Sequence, residues 1–146
     1  MKLSTRVRYG VRAMVELAKQ KDNKPVPLRQ LAESQGISSK YLEQMAASLK
    51  IAGLIESVRG AEGGYRLARP AGEITVLDIY NVLDVAGDPI DCEDPVCERI
   101  KFCATRELWL ELIQSIKKVL NSKNLQQLAG RETRLQGSSS ASKKSR

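Results

Sequence analysis

At 146 residues, 42% of them hydrophobic, the chain has the size of one ordinary domain that can bury a core without covalent staples. Three cysteines and no histidine make a disulfide scaffold a poor reading, and the formal net charge is +7. No segment reaches the ~18 apolar residues of a membrane span, and MKLSTRVRYGVRAM at the start interleaves charges with its apolar positions, which excludes a signal peptide and makes a cytoplasmic protein the expectation.

Ser4 or Thr5 can cap a first helix whose Val7, Val11, Met14, Val15 and Ala18 fall at helical spacing, with Arg6, Arg8 and Arg12 on its other faces. Pro27 fits the first turn of a short second helix, LRQLAESQ, that Gly36 ends. A third helix from Ser38 or Ser39 aligns Leu42, Met45, Ala46 and Leu49 in one apolar stripe, with Lys40, Gln44 and Ala47 opposite and Glu43 on the shoulder. Two helices joined by a tight turn make a helix-turn-helix. The strand-like runs Leu54 to Val58 and Tyr65 to Ala68, separated by Gly60, Gly63 and Gly64, add a two-stranded wing. Thr75 can cap a fourth helix, VLDIYNVLDVAG, in which Asp78 suits the positive helix terminus.

An acidic stretch with all three cysteines follows as a loop, and from about Thr105 a long helix presents Leu108, Trp109, Leu112, Ile113, Ile116, Val119 and Leu120. That apolar face exceeds what a winged helix needs, so it reads as a dimerisation helix. The expected fold is mainly α: a winged helix-turn-helix over residues 1–80, a cysteine loop over 81–104, the dimerisation helix and following segment over 105–130, and a disordered basic tail over 131–146.

The charge is divided along the chain. Residues 1–70 carry 13 Lys and Arg against 6 Asp and Glu, whereas residues 71–104 carry 2 against 8. A basic module calls for a polyanion, and here for double-stranded DNA. Ser38, Ser39, Lys40, Tyr41, Glu43 and Gln44 lie on the helix that would enter the major groove. Hydroxyls and lysine suit phosphate, glutamine suits adenine, and glutamate can accept from cytosine N4. Arg59 and Gly60 sit at the wing tip, where arginine favours a narrow minor groove. A solvated polar surface is the plainer alternative for any one of them.

Cys92, Cys97 and Cys103 are spaced too widely for a zinc ribbon but suit a loop wrapped around an iron–sulfur cluster. Three thiolates leave one iron position over. With no histidine, a carboxylate, an oxygen of backbone or water, or an outside thiol must fill it; Glu107 qualifies if its helix starts early, and Asp91, Glu93, Asp94 and Glu98 are near in sequence. A thiol redox switch without a cluster is the rival reading. An enzyme is not expected, since there is no histidine base and no phosphate-binding glycine loop opens a helix.

MKLSTRVRYGVRAM, GISSKYLEQ and VRGAEGGYRLARP together resemble the IscR-type branch of the Rrf-two winged-helix transcription factors, over roughly residues 1 to 128. The resemblance implies a homodimer on a pseudo-palindromic operator, with the helix of Ser38 to Gln44 in the major groove and Arg59 in the minor groove. It also implies an iron–sulfur cluster on Cys92, Cys97 and Cys103 whose state changes DNA affinity, a 2Fe–2S cluster being favoured over 4Fe–4S. Two positions depart from the pattern. Arg106 stands where that branch has a histidine ligand, and Arg8 stands where a nitric-oxide-sensing branch has an aspartate.

Overall fold

The computed structural model describes residues 3–84, 92 and 97–143, with side chains through 139. Ser4 caps the first helix, α1 (Thr5–Ala18), its hydroxyl accepting from the Val7 N–H at 3.2 Å. Val7, Ala13, Met14, Val15 and Leu17 are buried along one side, while Val11 and Ala18 are only half-buried. α2 (Leu28–Gln35) spans the expected LRQLAESQ, with Pro27 extended as its N-cap instead of lying in its first turn. Gly36 ends it in the left-handed conformation (φ 65°), and the Ile37 N–H reaches back to the Ala32 carbonyl at 3.1 Å, which turns the chain sharply into the next helix. The cap of α3 (Ser39–Ile51) is Ser38, whose hydroxyl accepts from the Tyr41 N–H at 3.1 Å; Leu42, Met45, Ala46 and Leu49 are all buried, as the stripe requires.

The wing pairs β1 (Ile55–Val58) with β2 (Gly64–Leu67) antiparallel, Ile55 opposite Leu67 and Val58 opposite Gly64. The sheet is also fastened to the α1–α2 connection, which sequence periodicity does not reveal. Val26 exchanges two backbone bonds of 2.9 Å with Tyr65. The Asn23 carboxamide imitates a further rung, donating to the Leu67 carbonyl at 2.9 Å and accepting from the Leu67 N–H at 3.2 Å. Gly64 makes this approach possible: its φ is +150°, and a Cβ there would lie 2.2 Å from the Val26 carbonyl oxygen.

α4 (Val76–Leu83) begins with the expected cap, completed as a capping box: the Asp78 N–H donates to the Thr75 hydroxyl at 3.1 Å, and the Thr75 N–H donates to the Asp78 carboxylate at 2.8 Å. It ends at Leu83 instead of continuing to Gly87, because Asp84 turns extended; residues 85–91 and 93–96 are outside the described residues, so Asp91, Glu93 and Asp94 are too.

The dimerisation helix expected from about Thr105 is α5 (Arg106–Asn121), and the segment expected to follow it is itself a helix, α6 (Leu125–Lys143). α5 stops short of Asn124, and α6 starts there. Asn124 and Gln127 cap each other, the Gln127 N–H donating to Asn124 Oδ1 at 2.9 Å and the Asn124 N–H to Gln127 Oε1 at 3.2 Å. The break inserts Leu125 into the core at 0% exposure, and its N–H bonds the Ile74 carbonyl at 3.0 Å. A helix nucleated and docked in this way can propagate through weak formers. Accordingly α6 runs through Gly137 and the serines as far as Lys143, where a disordered tail from Arg131 was expected. Lys19 ties this helix to the end of α1 through Glu132 at 3.0 Å.

Met14, Leu42, Met45, Ile74, Ile79, Leu83 and Leu125 are fully enclosed, so one core joins α1, α3, α4 and α6. α5 buries only Ile113. Its Leu108 and Val119 are 56% and 62% exposed, and Trp109, Leu112, Ile116 and Leu120 are half-buried.

Candidate nucleic-acid interface and cysteine loop

The solvent side of α3 carries Lys40, Glu43, Gln44 and Ala47, all exposed and spaced i, i+3, i+4, i+7, with exposed Ser39 in the first turn. Ser38 is exposed too, but its hydroxyl is engaged as the helix cap, so any phosphate contact must share that oxygen. Tyr41 is half-buried. Its ring meets Tyr9 of α1 edge-on, centroids 6.5 Å apart at 87°, and Arg12 lies over Tyr9 at 5.4 Å.

A second tie between these helices runs through Arg6, which donates from Nη2 to the Ser48 hydroxyl at 3.0 Å; that hydroxyl in turn donates to the Gln44 carbonyl at 3.4 Å. Arg6 Nε is buried without a protein partner. Of the three α1 arginines, Arg6 therefore turns partly inward, while Arg8 and Arg12 are exposed, Arg12 over the Tyr9 ring. Lys50 fixes the other end of α3 to the wing by donating to the Ser57 hydroxyl at 2.8 Å. Arg6, Ser48, Lys50 and Ser57 give no sequence signal, since each acts only through a partner that the fold delivers.

Arg59 and Gly60 are exposed at the wing turn, which closes with the Gly63 N–H on the Gly60 carbonyl at 3.0 Å. Directly below, Arg66 and Glu56 face each other across the strands and form an ion pair. Arg59 thus has its charge free to project, within a wing braced on three sides by Glu56–Arg66, Lys50–Ser57 and Val26–Tyr65.

All three cysteines are free thiols: Cys92 and Cys103 are half-exposed and Cys97 is exposed. Cys103 Sγ is 3.4 Å from the Thr105 hydroxyl. That hydroxyl, followed by the Thr105 and Arg106 backbone amides and the Arg99 charge, holds the Cys103 thiol below the usual cysteine range, although what burial it has works the other way. Arg106 donates from Nε to the Cys92 carbonyl at 3.2 Å, and its backbone N–H lies on the Cys103 carbonyl at 3.3 Å. Among the described residues no group of three or more Cys, Asp and Glu is gathered closely enough to hold a metal ion. The donors nonetheless suit an iron–sulfur cluster in kind: three accessible soft thiols, one already biased towards thiolate. Glu107 is exposed on the first turn of α5, but Cys103 precedes that helix, so the shared face expected from four-residue spacing does not form.

The family profile for Rrf2, described as an iron-dependent transcriptional regulator, matches residues 3–131. The chain belongs to the Rrf2 family. The Rrf2 protein of Nitratidesulfovibrio vulgaris is 41% identical over 130 residues, which are 88% of this chain and 87% of that one. Two solved Rrf2-type structures are equally similar in fold. CymR of B. subtilis, named a global cysteine regulator, has a TM-score of 0.74 at 39% identity, over 90% of this chain and 98% of that chain. IscR of T. potens has a TM-score of 0.74 at 42% identity, over 90% and 88%. The winged helix-turn-helix expected from the sequence is therefore the fold of the chain, and this Rrf2 protein is a DNA-binding transcriptional regulator and not an enzyme. No helix among the described residues is long and apolar enough to cross a membrane.

Proposed function

We propose that the chain is a cytoplasmic homodimer that binds a pseudo-palindromic operator and whose DNA affinity is set by an iron–sulfur cluster on Cys92, Cys97 and Cys103. The observation that carries this reading is the accessible thiol set on the loop leading into α5, with Cys103 shifted towards thiolate. In the complex the exposed Ser39, Lys40, Glu43 and Gln44, with Ser38 and Tyr41 at the helix start, meet the major groove. Arg59 and Gly60 meet the minor groove. The exposed Leu108 and Val119 of α5 supply part of the subunit contact.

When bound, a 2Fe–2S cluster would serve as the sensing group and not as a reaction centre. Cys92, Cys97 and Cys103 would hold it, and the exposed Glu107 carboxylate is offered for the remaining iron position. The winged helix and α5 are joined through this loop. Its state therefore biases how two recognition helices are spaced, by a coupling of about 1–3 kcal/mol.

A thiol switch without a cluster is the second reading, favoured by the exposure of Cys97 and the acidified Cys103, and by the equal likeness to CymR. The visible spectrum and the iron and sulfide content of protein purified without oxygen separate the two. Visible bands with stoichiometric iron and sulfide support the cluster. A colourless, iron-free protein that cannot be reconstituted leaves only the switch.

A further inference from the structure

Between exposed Ala104, Thr105, Glu107 and Leu108, the Arg106 side chain alone is drawn partly out of solvent. Its guanidinium reaches a backbone oxygen 14 residues earlier, the Cys92 carbonyl, with Nε as the donor at 3.2 Å. Its own N–H rests on the Cys103 carbonyl at 3.3 Å. One residue thus bonds the peptide groups of the first and last cysteines and closes the segment between them at the start of α5. We propose that Arg106 is the clasp of the cysteine loop, a positioning residue that holds Cys92 and Cys103 near each other before anything binds their thiols.

The segment needs such a device. Its sequence carries three like charges, Glu93, Asp94 and Glu98, and bringing its ends together costs chain entropy that an unclasped loop would have to meet on binding. A charged donor on a carbonyl is stronger than a neutral one, and arginine holds Nε in the plane of a rigid fork. The clasp also sits on the first residue of α5, so a rearrangement of the loop that pulls on Cys92 is felt at the end of that helix. The inference concerns the same loop as the cluster reading but is tested on the empty chain, so either can fail without the other.

The experiment uses the full chain carrying C97S, which leaves Cys92 and Cys103 as its thiols. Equilibration with reduced and oxidised glutathione forms the Cys92–Cys103 disulfide: the two thiols give up two protons and two electrons, and one oxidised glutathione becomes two reduced ones. The equilibrium constant, read by mass spectrometry, is the effective concentration of one thiol at the other. R106M keeps an apolar stem without a donor and should lower that value about tenfold. R106K keeps charge and a donor, but not at Nε, and should fall between the two. Circular dichroism checks that helix content is retained. Equal effective concentrations in the parent and in folded R106M would overturn the clasp. If R106M does not fold, R106K decides: a fall supports the clasp and an unchanged value overturns it.

Discussion

Thr105 governs the chemistry of its neighbour Cys103 through one hydroxyl. Because that contact is the largest cause of the lowered thiol pKa, Cys103 keeps its thiolate to lower pH than an ordinary cysteine and loses reactivity only as pH falls through the depressed value. The pH profile of iodoacetamide labelling at Cys103 should therefore have its midpoint below that of a free cysteine. In T105V the midpoint should move up, and a profile that stays put would show that the hydroxyl is not the cause. Ser38 has an equally local role. S38A removes the acceptor for the Tyr41 N–H and should cost about 1 kcal/mol in urea unfolding, besides any loss of DNA contact. At this scale the sequence displays the candidate thiols and hydroxyls but not the contacts of Thr105 and Arg106, which exist only once these residues meet Cys103 and Cys92 at the start of α5.

Elements were legible where their signals are local. The caps Ser4, Ser38 and Thr75, the Gly36 turn and the Leu42–Leu49 stripe each depend on residues within one or two turns, and each forms as the pattern demands. That the segment after α5 starts a second helix at Asn124 was not foreseen, although Asn-x-x-Gln is a variant of the capping box; an apolar run that continues on both sides, from Leu120 to Leu125 and Leu128, masks it. N124A should destabilise the fold by about 1 kcal/mol. Loss of stability without loss of helix content in α5 would confirm that the cap serves α6 alone. The third edge of the wing was invisible for another reason, since Asn23 and Val26 lie some forty residues from their partners Leu67 and Tyr65. Gly64 is its sensitive point. G64A puts a methyl group against the Val26 backbone and should cost about 1–3 kcal/mol, weakening operator binding through the wing while leaving the α3 face intact. A G64A protein as stable as the parent would mean that the Val26 edge does not hold the wing.

For the whole molecule, the basic front and acidic middle of the chain divide its charge between the winged helix and the cysteine segment, the two parts to which the proposed function gives DNA binding and sensing. Basic charge gives affinity that falls with salt, while in the proposed complex sequence preference comes from the exposed side chains of α3 and the wing. Removing Arg59 should weaken operator binding and lower the slope of log K against log salt by about one, as expected for one lost phosphate-side cation. An unchanged slope with full affinity would put Arg59 away from the DNA.

The measurement closest to the central claim compares operator affinity, without oxygen, between the parent protein as purified and the variant C92A/C97A/C103A, at one fixed salt concentration. The account predicts that the two differ in affinity on at least one operator class by about 5- to 150-fold, the range of an ordinary coupling between sites, with equal helix content. Identical affinity on every operator would leave a winged-helix regulator whose cysteines do not control it.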